Sequence, residues 1–168
     1  YNTCAATGYN WNANSSSRLV SELRSNQNKE SYDDLELQTK NPGDLAQSLL
    51  DEGIKAMKIW PFDEFAFISK GQMISSEDLD KGISRIKKIR EAVGSKIDIM
   101  VEYHSLWQLA PALKIAKFVD EFDVFWHEYP INMAHLKDLA EYNQNTIAPV
   151  AGSEALGTAL WYRDALSL

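Results

Sequence analysis

From residue 41 onward, short β-rich runs alternate with helix-patterned segments. That rhythm confines the chain to a parallel sheet with helices packed outside it, the α/β class. Strands are expected over residues 54–60, 97–103, 124–128 and 147–152, and helices over residues 44–52, 75–93, 108–121, 135–142 and 158–166. The clearest helix is 75–93. Ser75 and Asp78 form a capping-box pattern with Asp in place of Glu/Gln. Leu79, Ile83, Ile86 and Val93 then keep a helical period, and Gly94 ends it. Pro61 and Pro130 close two of the strands. With residues 1–5 as a first strand, the chain holds five βα units, against the eight of a complete (β/α)8 barrel. A doubly wound open sheet also fits the alternation, but no Gly-rich phosphate fingerprint follows a first strand.

At 168 residues the chain can bury one sizeable core, and five Trp, seven Tyr and six Phe supply bulky material for it. A net charge of −7 argues against a nucleic-acid partner, which selects a basic stripe. Cys4 is the only cysteine, so no internal disulfide forms and nothing points to an oxidising compartment. No apolar run reaches membrane-spanning length, and a cytoplasmic location is expected. The chain starts at Tyr1 inside an expected strand, so both ends are read as cut. Residues 10–40, rich in Asn, Ser, Lys and Glu, break the βα rhythm and read as a long polar loop or a lid over the site. The whole of 1–168 is then one truncated barrel domain.

Glu102, Glu128 and Glu154 each fall at or just past the end of an expected strand, at intervals of 26 residues. One carboxylate per βα unit would gather all three at the C-terminal mouth of a barrel, and this favours the barrel over the open sheet. Three anions so close would raise one another's pKa unless a hard cation compensated them, and oxygen-only ligands suit Mg2+ better than Zn2+. The plain alternative is three unrelated surface glutamates.

The surrounding residues speak to that choice. Glu102-Tyr103-His104-Ser105-Leu106-Trp107, His127-Glu128-Tyr129-Pro130 and Gly152-Ser153-Glu154 resemble the three metal-ligand motifs of the mandelate racemase and muconate lactonizing branch of the enolase superfamily. The typical patterns there are D-x-N-x-x-W, E-x-P and G-x-E. The segments at Gly53 to Lys58 and Tyr1 to Ala5 are similar to the same branch. The resemblance implies a partial (β/α)8 barrel whose N-terminal capping domain and last strands lie outside this chain. It implies Glu102, Glu128 and Glu154 as Mg2+ ligands, and a homo-oligomeric parent.

Two departures narrow the reaction. Side chains alternate along a strand, so Glu102 and His104 share a face. The branch's sugar-acid dehydratases often carry a His at that point, and the resemblance implies His104 as the acid that protonates a departing 3-hydroxyl. A His that only hydrogen-bonds substrate or a ligand carboxylate is the alternative. Lys58 and Trp60 also share a face. Lys58 matches the first Lys of the K-x-K pair of many racemases, whereas Trp60 occupies the place of the second and cannot take a proton. Lys58 is therefore expected to hold substrate or to pair with a ligand glutamate, with Trp60 as a pocket wall. The base is expected on later strands.

His127 is expected to pack under the outer helices, and His135 to be solvated. Trp107 and Trp126 are read as core. The leading expectation is a Mg2+-dependent lyase that dehydrates a sugar acid, the isolated chain being inactive. A racemase or cycloisomerase of the same superfamily is the second reading, and a noncatalytic remnant that binds metal or a partner is the third.

Overall fold

The computed structural model describes residues 1–4, 34–152, 154 and 156–167. Four parallel strands lie in chain order: β1 (Ala56–Ile59), β2 (Asp98–Glu102), β3 (Trp126–Glu128) and β4 (Val150–Ala151). Helices separate them: α1 (Asp34–Lys40), α2 (Pro42–Asp51), α3 (Asp63–Ser69), α4 (Ser76–Val93), α5 (Leu109–Val119), α6 (Leu136–Gln144) and α7 (Ala159–Ala165). This is the parallel α/β architecture expected from the alternation, with consecutive strands neighbouring as in a barrel wall. Residues 1–4 take the place of the anticipated first strand. They are reduced to one parallel bridge between Asn2 and Met57, closed by Asn2 N–H to Ala56 O and Lys58 N–H to Asn2 O.

Two corrections fall in the N-terminal part. The stretch read as a polar loop or lid ends in helix α1, because Gln38 has a buried task there. Its Nε2 donates to Cys4 O at 2.7 Å, and its Oε1 accepts from Trp60 N–H at 2.7 Å. Residues 5–33, and with them the rest of that expectation, lie outside the described residues. Helix α3 was not anticipated. Seven residues are too few for a period to show, and tertiary contacts stabilise the element instead. Gly82 of α4 leaves room for the Phe62 ring, since a Cβ there would lie 2.1 Å from Phe62 Cε1. Arg85 Nη1 donates to Pro61 O at 2.8 Å, and its Nη2 pairs with Glu64.

The clearest expectation, the α4 cap, holds. Ser75 Oγ accepts from Asp78 N–H at 3.0 Å, but Asp78 is too short to reach back to the cap backbone and accepts from Ser75 Oγ instead, at 2.8 Å.

Side chains alternate across the strands. Met57 and Ile59 of β1 and Ile99 and Val101 of β2 are buried in one cluster with Leu45 and Leu49 of α2, Ile86 and Ile89 of α4, and Ile115 and Val119 of α5. Each such side chain, fully buried, contributes about 1.5–3 kcal/mol before entropy is counted. Lys58, Met100 and Glu102 take the opposite face, also buried, while Trp126 and Glu128 of β3 on that face are half-buried.

Candidate functional site

The register of the sheet places the first two carboxylates side by side. Glu102 and Glu128 are direct Cα partners across the β2–β3 pair, and Lys58 pairs with Met100 one step back on β1. Lys58 Nζ donates to Glu102 Oε2 at 2.9 Å and to Glu128 Oε1 at 2.7 Å. Burial would lower the Lys58 pKa, but the two carboxylate bonds outweigh it and hold the ammonium above its ordinary value. Lys58 thus stands as a fixed cation between the two carboxylates. Trp126 Nε1–H donates to Glu128 Oε2 at 2.9 Å and steadies that carboxylate from the same strand face. Trp126 is thus not simply core: its indole N–H is part of the site, a role that follows from the two-residue alternation it shares with Glu128.

Glu154 stands apart. It is exposed, just beyond β4, which ends the strand order among the described residues. Among the described residues no three carboxylate, imidazole or thiolate groups converge on one point. The donor chemistry of Glu102 and Glu128 still fits a hard divalent cation: both are carboxylates, one buried and one half-buried, and together they already bind one positive group.

After each of the first two glutamates the backbone turns out of the strand. Tyr103 N–H bonds Glu128 O, and then His104 (φ 52°) and Ser105 (φ 58°) adopt left-handed conformations; Tyr129 (φ 48°) does the same beyond Glu128. Such non-glycine residues are costly and need anchors. His104 N–H donates to Glu102 Oε1 at 3.1 Å, Ser105 N–H to Tyr129 O at 2.7 Å, and Ser105 Oγ–H to Ile131 O at 3.0 Å. The His104 ring lies edge-on to Trp60, with centroids 4.9 Å apart, and its Nδ1 is 2.8 Å from Asp63 Oδ2. Trp60 is therefore a wall against His104.

Asp63 escaped the sequence reading. It opens α3 and is only 6% exposed. Burial pushes its carboxyl above the usual carboxylate range, against the opposing pull of His104 and Arg85. A carboxylate three residues past Trp60 and two past Pro61 was the available signal, but its histidine lies 41 residues on. His127 faces the other side of the sheet, fully buried, with Nδ1 bonded to Tyr103 and Tyr142 hydroxyls and Nε2 to Asp120. This is the packing role expected of it. His135 is exposed at the start of α6, also as expected, and Trp107 is buried in the core.

Residues 43–168 match the family model described as enolase C-terminal domain-like. Among solved structures, the chain is similar to an enolase of the mandelate racemase subgroup from Agrobacterium tumefaciens. The two are 50% identical, with a TM-score of 0.73, over 75% of this chain and 34% of that one. Among curated proteins it is similar to D-gluconate dehydratase of Thermoproteus tenax, 29% identical over 68% of this chain and 22% of the relative. It is also similar to D-gluconate/D-galactonate dehydratase of Picrophilus torridus, 27% identical over 66% of this chain and 27% of the relative. The chain thus spans about a quarter of the length of these curated relatives. Among the described residues no helix is long and apolar enough to cross a membrane.

Proposed function

The chain belongs to the enolase C-terminal domain-like family, and from that premise we propose that it serves in a Mg2+-dependent dehydratase of a sugar acid. The observation that carries this reading is the carboxylate pair Glu102 and Glu128, bridged by Lys58 at 2.9 and 2.7 Å, with His104 bonded through its backbone to the same Glu102. The names of the similar curated proteins, dehydratases of gluconate and galactonate, support the substrate class.

In this reading Glu102 and Glu128, with Glu154, would hold Mg2+, and the ion would supply Lewis-acid stabilisation of the charge left as the α-proton departs. Lys58 holds the substrate through a carboxylate or hydroxyl oxygen. His104 gives its proton to the 3-hydroxyl as the carbon–oxygen bond breaks, and the group leaves as water. The enol that remains tautomerises to a 2-keto-3-deoxy acid. Trp60 walls the pocket. The base that takes the α-proton is expected on barrel units outside this chain, so the 168 residues alone are expected to be inactive. The parent is expected to be a cytoplasmic homo-oligomer.

The test is a panel of sugar acids assayed with Mg2+ for the 2-keto-3-deoxy product, on the protein as its source makes it. Turnover that vanishes in His104→Asn and on chelation supports the dehydratase. Exchange of the α-proton with solvent and no loss of water would instead indicate racemase or cycloisomerase chemistry, and unchanged turnover in His104→Asn would remove the acid role.

A further inference from the structure

We infer that Asp63 is a positioning residue that fixes the ring orientation and tautomer of His104, so that Nε2 is the nitrogen presented to substrate. This deepens, and rests on, the reading of His104 as the proton donor.

The geometry runs through four links. Helix α4 clamps the turn before Asp63: Arg85 Nη1 donates to Pro61 O at 2.8 Å, and the Arg85 guanidinium lies 5.7 Å from the Phe65 ring centroid. That turn brings Asp63 Oδ2 to 2.8 Å from His104 Nδ1. Trp60, from the same segment, meets the imidazole edge-on at 76°. The segment is locked in turn to the loop that carries His104. Gln108 N–H donates to Gly71 O at 2.9 Å, and Gly71 (φ 70°) lies so close to Leu106 that a Cβ would fall 1.8 Å from Leu106 O. Lateral slip of the ring is thus opposed by an aromatic face, and rotation by a carboxylate.

The chemical consequence follows from what a carboxylate can do. Ionised, it only accepts, so the hydrogen of that bond belongs to Nδ1 and the proton exchanged with substrate is carried on Nε2. When Nε2 releases its proton to the departing hydroxyl, the carbon–oxygen electron pair leaves with oxygen as water. Nδ1–H stays on Asp63, and solvent restores the Nε2 proton. Without Asp63 the ring is able to flip or to settle in the tautomer with its proton on Nε2 and its lone pair on Nδ1. The comparable loss of an orienting carboxylate in serine proteases leaves geometry intact and fails through the wrong tautomer.

The experiment starts on the unmodified protein, labelled with 15N-histidine, and its folding is checked alongside that of the variant used for assignment. Ring nitrogen shifts, assigned to His104 by their disappearance in His104→Asn, are read where the ring is neutral. The Nδ1–H form is expected, and the Nε2–H form would overturn the proposal. Asp63→Asn is then expected to shift the ring toward Nε2–H and to lower kcat by on the order of a hundredfold or more, with KM changed far less. On the His104→Asn background the same change is expected to add no further loss, and Asp63→Glu is expected to restore part of the wild-type tautomer signal. An Asp63→Asn protein with an unchanged tautomer and unchanged kcat would overturn the proposal. If His104→Asn itself leaves turnover intact, the acid role fails, while the ring-nitrogen signal still decides whether Asp63 holds the imidazole.

Discussion

Two His–Asp pairs flank the same sheet, and they are built to opposite ends. On the helix side, His127 is fully buried between Tyr103, Tyr142 and Asp120. Asp120 is itself saturated, since it also accepts from the backbone N–H groups of Ile147 at 2.9 Å and Ala148 at 3.3 Å. Burial raises the Asp120 pKa, but the bonds from His127 and those two amides outweigh it and hold the carboxyl below its usual range. The Tyr103 ring stacks on both Phe62 and His127, so the cluster ties α3, β2, β3 and α6 together. On the opposite side, His104 is partly exposed and left-handed, and the second oxygen of its Asp63 is buried with no hydrogen-bond partner among the described residues. A closed network of satisfied groups stabilises a fold. A strained, partly open pair beside two carboxylates is the arrangement found at sites that handle protons.

The contrast breaks most readily at Lys58. Replacing it by Met leaves the buried Glu102 and the half-buried Glu128 without their cation, and a loss of about 3–5 kcal/mol is expected in urea unfolding without divalent metal. Added Mg2+ should restore stability to Lys58→Met more than it stabilises the wild type; equal gains would separate the carboxylates from metal binding. His127→Ala comes next. It strands two tyrosine hydroxyls and a carboxylate and opens a cavity, at about 3 kcal/mol. The same denaturation experiment reads it, and a loss below about 1 kcal/mol would show that the helix-side network is not the structural one.

Asp120 sharpens the comparison through pH. Its folded pKa lies below the unfolded value of about 4, so its contribution is complete above that value and fades as pH falls through the folded one. Asp120→Asn should therefore be less stable at neutral pH and should lose less stability on acidification, as thermal melts across pH 2–7 would show. The smallest stability effect belongs to His104→Asn, about 1 kcal/mol or less, because the ring is partly exposed and Asn still offers Asp63 a donor. A loss as large as that of His127→Ala would erase the distinction between the two pairs.

Much of this was legible in the chain. The alternation of β-rich and helical segments dictated a parallel sheet, and the period-two rule correctly put Met57 and Ile59 on one face and Lys58 on the other. The alternative of pairing Lys58 with a ligand glutamate was foreseen, but not that it reaches two at once. That depends on the register, which makes Glu102 and Glu128 direct partners, and register is a property of two strands together. Spacing also groups Glu154 with them; the structure shows it exposed just beyond β4.

The sequence by itself determined the class of fold, the α4 cap, the buried faces and the candidate carboxylates, because these rest on local periodicity and on interactions a few residues apart. Only the tertiary structure decided the partners of charge and proton: Lys58 with two carboxylates, His104 with Asp63, and His127 with Asp120, Tyr103 and Tyr142. His104 and Asp63 are 41 residues apart, on adjacent βα units. Their meeting depends on how a seven-residue helix docks, through a glycine gap and an arginine clamp on α4, and no local pattern encodes that.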